Sequence, residues 1–539
     1  MKKISLILLI PVFLLVLISC SGNQEKKVAD SRTITEKVLK DKIAGGWAGK
    51  MIGVTYGAPT EFRAQGKTFN DSIKWVPTDV KGSIWQDDIY VQLTFLMTMD
   101  RYGIDAPAKK FQELFAKAGY QLWHANVQGR KNYFDSIFPP MSGHPDYNIH
   151  ADDIDFQIEA DYIGFMCPGM PQTANKIADK IGHIMNYGDG VYGGIFVGAL
   201  YSEAYFESDI RKLIDKALLS IPTESDYSKI IKDVLLLHNQ YPNDWHSAWN
   251  ELEAKWGNVD ICGAGEPFNI DAKLNGAFIV MGLLYGDGDP AKTMEIATRC
   301  GQDSDCNPSN AMAVLGVIKG LSGLPSTYRE AVQAIGDSLF INTSYSYNKA
   351  VEQTLKYARG LVIENGGQAT DSELIIKIQA SQPFALEDAF PKLVFDHNVS
   401  VFDKGGWEFK GKWENFKKNS KDVQAMVSGN KGDEAVLNFE GTGVSIVGNW
   451  FKDGGKADVY VDGTFKRTID AYFYFANQTH TGMDMYHITN LSLGKHTVKI
   501  VVKGEKRPEA TSANFYISKA VVFKTADKTN VNYKFSFQK

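Results

Sequence analysis

The hydrophobic period of this chain changes once, near residue 370, and that change constrains the fold more than any single motif. Up to about Asn365 apolar residues recur at three and four, as in Ala311, Val314, Leu315 and Ile318. Beyond about Asp371 they alternate by two, as in Glu373 to Ile378 and His496 to Val502. One layer of packing cannot satisfy both periods, so the chain is expected to be multidomain. Its 539 residues leave ample length for two buried cores. The expected division is a compact all-α domain over 36–365, a linker and strand segment over 366–395, and a β-sandwich over 396–539.

Small residues crowd the helical half: Gly45, Gly46, Ala48, Gly49 and Gly53, then Gly193, Gly194, Gly198 and Ala199. Glycine weakens an isolated helix, so these segments are expected to pack closely against neighbours. In the other half, Asp462-Gly463 between Tyr460-Val461 and Thr464-Phe465 reads as a hairpin turn. The short strands and regular turns there suggest a jelly-roll sandwich, and they resemble the galactose-binding-like modules of many secreted glycosidases. Trp450, Tyr472 and Tyr474 would either bind a ligand or be buried.

The first residues bear on the compartment. A basic head, Met1-Lys2-Lys3, precedes a short apolar run, Ile4 to Ser19, that Pro11 interrupts. That is the layout of a signal peptide rather than a spanning helix. Its end, Leu17-Ile18-Ser19-Cys20, resembles the bacterial lipoprotein cleavage box. The resemblance implies loss of residues 1–19, acylation of Cys20, a tether over 20–35 and a lipid-anchored place at the bacterial cell envelope. The bland alternative is an ordinary secretory signal. Cys167, Cys262, Cys300 and Cys306 show no metal-knuckle spacing, although Cys300 and Cys306 could pair in an oxidising compartment. With 58 basic and 63 acidic residues there is no basic excess, and no nucleic-acid partner is expected.

Three acidic groups precede apolar helices: Gly57-Ala58-Pro59-Thr60-Glu61, Gln86-Asp87-Asp88-Ile89, and Gly301-Gln302-Asp303-Ser304-Asp305-Cys306. Aspartate favours N-caps and first turns, which would explain any one of them. Together they also supply oxygen ligands for a hard cation such as Mg²⁺. In order and spacing the three groups resemble the motifs of the ADP-ribosylglycohydrolase family. That family has a Gly-rich first helix ending near a Glu, an early Asp pair and a late Asp-x-Asp before small residues. The resemblance covers about residues 36–330. It implies an all-α catalytic domain whose Mg²⁺ centre, of one or two ions, cleaves the C1 bond of a ribosyl group. By position, Asp87, Asp88, Asp303 and Asp305 would be metal ligands, with the Gln86 carbonyl a further one. Glu61, Asp87 and Asp88 would form the catalytic set. Three positions depart from the pattern. Gln86 and Ile89 replace hydroxyl residues around the Asp pair, and Cys306 stands where a hydroxyl follows the last Asp.

A middle segment adds further candidates. His150, Asp152, Asp153 and Asp155 lie in an acidic run, and Asn186-Tyr187-Gly188-Asp189-Gly190-Val191-Tyr192 looks like a variant found in secreted bacterial members of the family. Asn186, Asp189, Tyr192, His150 and Asp153 are therefore expected to bind substrate, with His144 and His150 as candidate acid/base groups. For the first of these runs a solvated face or N-caps is as good a reading, and for the second a tight helix junction. The resulting expectation is a metal-dependent glycosyl hydrolase acting on a carbohydrate or glycoconjugate. The alternatives are an ADP-ribosyl hydrolase and a non-catalytic sugar-binding lipoprotein.

Overall fold

The computed structural model describes residues 30–258, 260–263, 265–417 and 424–526. The expected signal peptide over 1–19 and the lipidation of Cys20 lie outside the described residues. Among those residues no helix is long and apolar enough to cross a membrane.

The helical domain is organised around its first helix, Glu36–Gly57, which Thr35 caps by accepting the Val38 N–H at 3.3 Å. Gly45, Gly49, Gly53 and Gly57 recur every four residues and so share one face. That face lies against the chain from Ser304 to Gly316, which includes most of the helix Cys306–Lys319. A Cβ at Gly45, Gly49, Gly53 or Gly57 would stand 2.1, 2.3, 2.3 or 2.0 Å from the carbonyl oxygens of Gly316, Met312, Pro308 and Ser304. The two helices therefore run antiparallel with backbone on backbone. The end of the first helix meets the start of the second, and this crossing positions the site.

The last five residues of the expected tether are not a tether. Ser31–Thr35 is a strand pairing antiparallel with Glu373–Lys377, with Ile34 opposite Leu374, and Gln368–Ala369 pairs on the other side. The cause is apolar burial: Ile34, Leu374 and Ile376 turn into the helical core. The helical domain thus carries a small sheet that borrows the start of the expected linker.

The sandwich begins with the strand Leu393–Ser400, three residues before the expected boundary. One antiparallel sheet runs in the spatial order Thr464–Asp470, Lys456–Val461, Gly494–Val502, Glu434–Gly441, Trp407–Lys410. The other runs His480–Ile488, Gly443–Trp450, Phe515–Thr525, Gln424–Ser428, Glu414–Lys417, with Leu393–Ser400 also on Phe515–Thr525. Asp462 and Gly463 both have positive φ, 49° and 76°, as a two-residue hairpin turn of the primed type requires.

The two domains touch. The Gln478 side chain donates to Leu122 O at 2.8 Å and accepts from Leu122 N at 3.2 Å. His487 Nε2 is 2.5 Å from Pro145 O, and Arg507 joins Asp135 to Asp470. Phe134 packs on Phe473 and Phe475. Trp450 is buried, with the Lys131 ammonium 5.5 Å from its ring centre; Tyr474 stays exposed.

Candidate active site

The antiparallel crossing of the two helices brings Glu61, four residues past Gly57, against Asp303 and Asp305. Thr60 Oγ1 and Ser304 Oγ lock the junction at 2.8 Å. The helix Asp87–Tyr102 points its first turn at the same place, carrying Asp87 and Asp88. Ligand oxygens of Glu61, Asp303 and Asp305 lie within 4.8 Å of one another, and so do ligand atoms of Asp88, Asp305 and Cys306. The two groups share Asp305. They form the floor of a cavity of about 590 Å³.

Lys50 reaches this floor from inside the glycine-rich helix. It is fully buried, with Nζ 2.8 Å from Asp161 Oδ2, 3.5 Å from Asp88 Oδ1 and 2.7 Å from Ile158 O. Burial acts to lower its pKa, but the Asp161 and Asp88 charges hold the ammonium above its ordinary value. Asp161 also accepts from Gln92 at 3.2 Å and from Asn310 at 3.1 Å. Neither Lys50 nor Asp161 is singled out by sequence reasoning. The one available signal is a lysine in the midst of a helix of small and apolar residues.

The acids crowd one another. Partial desolvation, then the charges of Asp303, Asp87 and Asp88, push the Glu61 carboxyl up to about 8. Burial, then Asp88 and Asp303, push Asp87 to about 7. Burial raises Asp88 to about 6 against the pull of Lys50. Asp303 and Asp305 are raised as well, chiefly by burial. Asp303 Oδ1 and Asp305 Oδ1 are buried with no hydrogen-bond partner. Carboxylate oxygens left without donors in this number fit a hard divalent cation. Cys306 donates its S–H to Asp88 Oδ2 at 3.3 Å, doing for that carboxylate what a hydroxyl would. Gln86 lines the cavity, whereas Ile89 turns fully into the core.

The wall is aromatic. Phe62, Trp85, Tyr90, Trp123, His124 and Phe268 line it, and Trp85 and Trp123 are 62% and 46% exposed. His124 stacks on Phe268 with ring centres 5.7 Å apart. Asp155 also lines the cavity, accepting the N–H groups of Ala125 and Asn126 at 3.2 and 2.9 Å. Burial holds His124 down to about 3 and His150 to about 4, so both imidazoles are neutral at physiological pH.

Of the middle segment's candidates Asp155 reaches the cavity, whereas the expected substrate-binding residues do not line it. Asn186 is fully buried; it accepts the Phe156 N–H and donates to Ala151 O at 3.0 Å and Asp153 O at 2.8 Å. Its amide is consumed in holding backbone. Asp189 accepts the Tyr227 N–H at 3.1 Å and faces Lys273 at 3.7 Å. The Tyr192 hydroxyl donates to Ala385 O and accepts from Glu387 N, fastening the segment after the helical domain. None of the three lines the cavity. His150 and Asp153 lie behind its wall, hydrogen-bonded to each other at 2.7 Å. His144 packs on Tyr187, away from the floor. Cys300 and Cys306 are unpaired, as are Cys167 and Cys262.

Comparison with known proteins bears on this geometry. The family model described as ADP-ribosylglycohydrolase matches residues 35–363. A curated relative, the A type blood alpha-D-galactosamine galactosaminidase of Flavonifractor plautii, is 30% identical over 119 residues. That stretch is 22% of this chain, and the chain spans 10% of the relative's length. Among solved structures, an ADP-ribosylglycohydrolase-related protein complex aligns over 60% of this chain and 99% of its own, at 15% identity and a TM-score of 0.38. The CBM36-1 domain of a multidomain xylanase from the hindgut metagenome of Trinervitermes trinervoides aligns over 24% of this chain and 98% of its own, at 14% identity and a TM-score of 0.18.

Proposed function

The chain belongs to the ADP-ribosylglycohydrolase family, and from that premise we propose that it is a divalent-cation-dependent hydrolase of a glycosidic bond in a carbohydrate or glycoconjugate. The observation that carries the reading is the two clusters sharing Asp305, one of Glu61 and Asp303 and one of Asp88 and Cys306, at the floor of a cavity walled by exposed tryptophans. Aromatic faces suit the apolar faces of sugar rings. None of the described residues lining the cavity is Lys or Arg, so the wall offers no fixed cation for a diphosphate. That favours a neutral glycan over ADP-ribose, and the name of the Flavonifractor relative points the same way.

Glu61, Asp88, Asp303 and Asp305 would hold Mg²⁺, with Asp87 and the Gln86 carbonyl at its edge. When bound, the metal supplies a Lewis acid that orients sugar hydroxyls and favours deprotonated water. The chain's own residues do the rest. Trp85 and Trp123 hold the ring against the floor. Glu61, the most exposed of the acids, would be ionised once a cation offsets the charges of Asp303, Asp87 and Asp88; it then takes the proton of the attacking water and passes it to the departing glycosidic oxygen. The remaining carboxylates stabilise positive charge growing at C1 as the bond breaks. Lys50 keeps Asp88 ionised and fixed. The N-terminal pattern around Cys20 supports action at a bacterial envelope through a lipid anchor.

The test is release of reducing sugar from a glycan panel beside release of ADP-ribose from ADP-ribosylated protein, each with Mg²⁺ and with EDTA. Cation-dependent sugar release is expected, falling about 100-fold or more in Asp303→Asn. ADP-ribose release alone would return the chain to the family's own substrate class. Silence on both without bound metal would make it a sugar-binding protein.

A further inference from the structure

Behind the aromatic wall is a cluster that the proposed reaction does not use. His150 Nδ1 lies 2.7 Å and His124 Nδ1 3.7 Å from the same oxygen, Asp153 Oδ2. A ligand atom from each of the three residues lies within 4.8 Å of the others. Ligand atoms of Asp153, Asp260 and Cys262 also lie within 4.8 Å of one another. Asp153 is fully buried, and its Oδ1 has no hydrogen-bond partner. Asp152 likewise keeps its Oδ1 without a partner, whereas Asp155 and Asp260 are better provided. Asp152 pairs with Lys273 at 3.0 Å, Asp155 takes two backbone N–H groups, and Asp260 takes those of Cys262 and Ile270 at 2.7 and 2.8 Å. Leaving a carboxylate oxygen buried without a donor costs free energy that a cation would recover.

We propose that His124, His150 and Asp153 form a second metal site, separate from the acidic floor, that takes a borderline transition ion such as Zn²⁺. The donor set decides the class: two imidazoles and one carboxylate suit Zn²⁺ or Co²⁺, whereas the carboxylate-rich floor suits Mg²⁺. Ligands about 2.0–2.1 Å from a tetrahedral zinc stand roughly 3.3 Å apart. The observed 2.7 and 3.7 Å from the two imidazoles to Asp153 Oδ2 bracket that spacing. Three protein ligands leave a fourth position open. Of the three, His124 also lines the cavity. The site goes beyond the glycosidic reading and does not depend on it.

The protein, stripped with chelator, is equilibrated with Co²⁺ or Zn²⁺ in excess Mg²⁺, desalted and assayed for metal. One equivalent per chain is expected, with the visible absorption of a low-coordinate site for Co²⁺. It should persist in the double variant Asp303→Asn/Asp305→Asn. It should weaken about 100-fold or more in His124→Asn and in His150→Asn, each checked for folding by melting. X-ray absorption on the zinc-loaded native protein should show imidazole scattering, a readout that needs no variant. No stoichiometric uptake, uptake that survives both histidine changes, uptake lost with Asp303 and Asp305, or a zinc spectrum without imidazole would each overturn the proposal.

Discussion

Both domains bury aspartates, and they treat them in opposite ways. In the sandwich, Asp484 accepts from His487 Nδ1 at 2.6 Å and from Ser445 Oγ, and Asp433 accepts from Ser428, Asn430 and the Lys412 N–H. Despite burial, these partners hold both carboxyls below the ordinary range. In the helical domain, Asp88, Asp303 and Asp305 are buried together, and their carboxyls are raised. A closed set of hydrogen bonds marks a carboxylate that holds structure. An open set, its carboxyls raised by burial and mutual repulsion, marks one reserved for something else. Stability is weakened at the floor so that oxygen lone pairs stay available.

The strongest way to break this comparison is to remove Lys50, the cation that the described residues place at the floor. Lys50→Met leaves Asp88 and Asp161 buried without their partner and should cost about 3–5 kcal/mol in denaturant unfolding. A loss near zero would mean that the acids are already neutral there, and that Lys50 holds nothing.

A smaller effect sharpens the comparison through pH. The folded floor keeps protons up to about 6, 7 and 8 on Asp88, Asp87 and Glu61, whereas the unfolded chain loses them near 4. Between those limits the folded state binds more protons than the unfolded one, so its stability falls as pH rises from about 4 to 8. One net extra proton gives a slope of about 1.4 kcal/mol per pH unit in EDTA. Saturating Mg²⁺, which favours the charged acids, should flatten the slope. Melting curves across that range with and without Mg²⁺ decide it; equal slopes would separate the floor from metal binding.

The smallest effect belongs to the closed set. Asp484→Ala strands His487 and should cost about 1 kcal/mol in stability while leaving hydrolysis unchanged. A fall in activity comparable to that of Asp303→Asn would erase the distinction between the two kinds of aspartate.

What was legible in the sequence follows the same division. The change of period, the Asp462-Gly463 turn and the helix starts bearing Asp87, Asp88, Asp303 and Asp305 are local patterns, and each has its structural counterpart. The glycine spacing in the first helix announces close packing, but only the structure shows that its partner carries the late aspartates. Lys50 and Asp161 meet across more than a hundred residues, with nothing local to mark them. Asn186, Asp189 and Tyr192 misled because polar residues among glycines serve a tight backbone junction as readily as a ligand. Ser31–Thr35 reads as tether because its strand exists only through pairing with Glu373–Lys377, far along the chain.

Gln478 grips both backbone groups of Leu122, the residue before Trp123 and His124. The sandwich is thereby a bearing for the cavity wall rather than a detachable accessory. Recombination that exchanged this domain for another would disturb the rim along with the appendage. A gene trimmed to its helical half would encode a floor whose wall has lost its outer support. What a protein engineer would have to move is the pair.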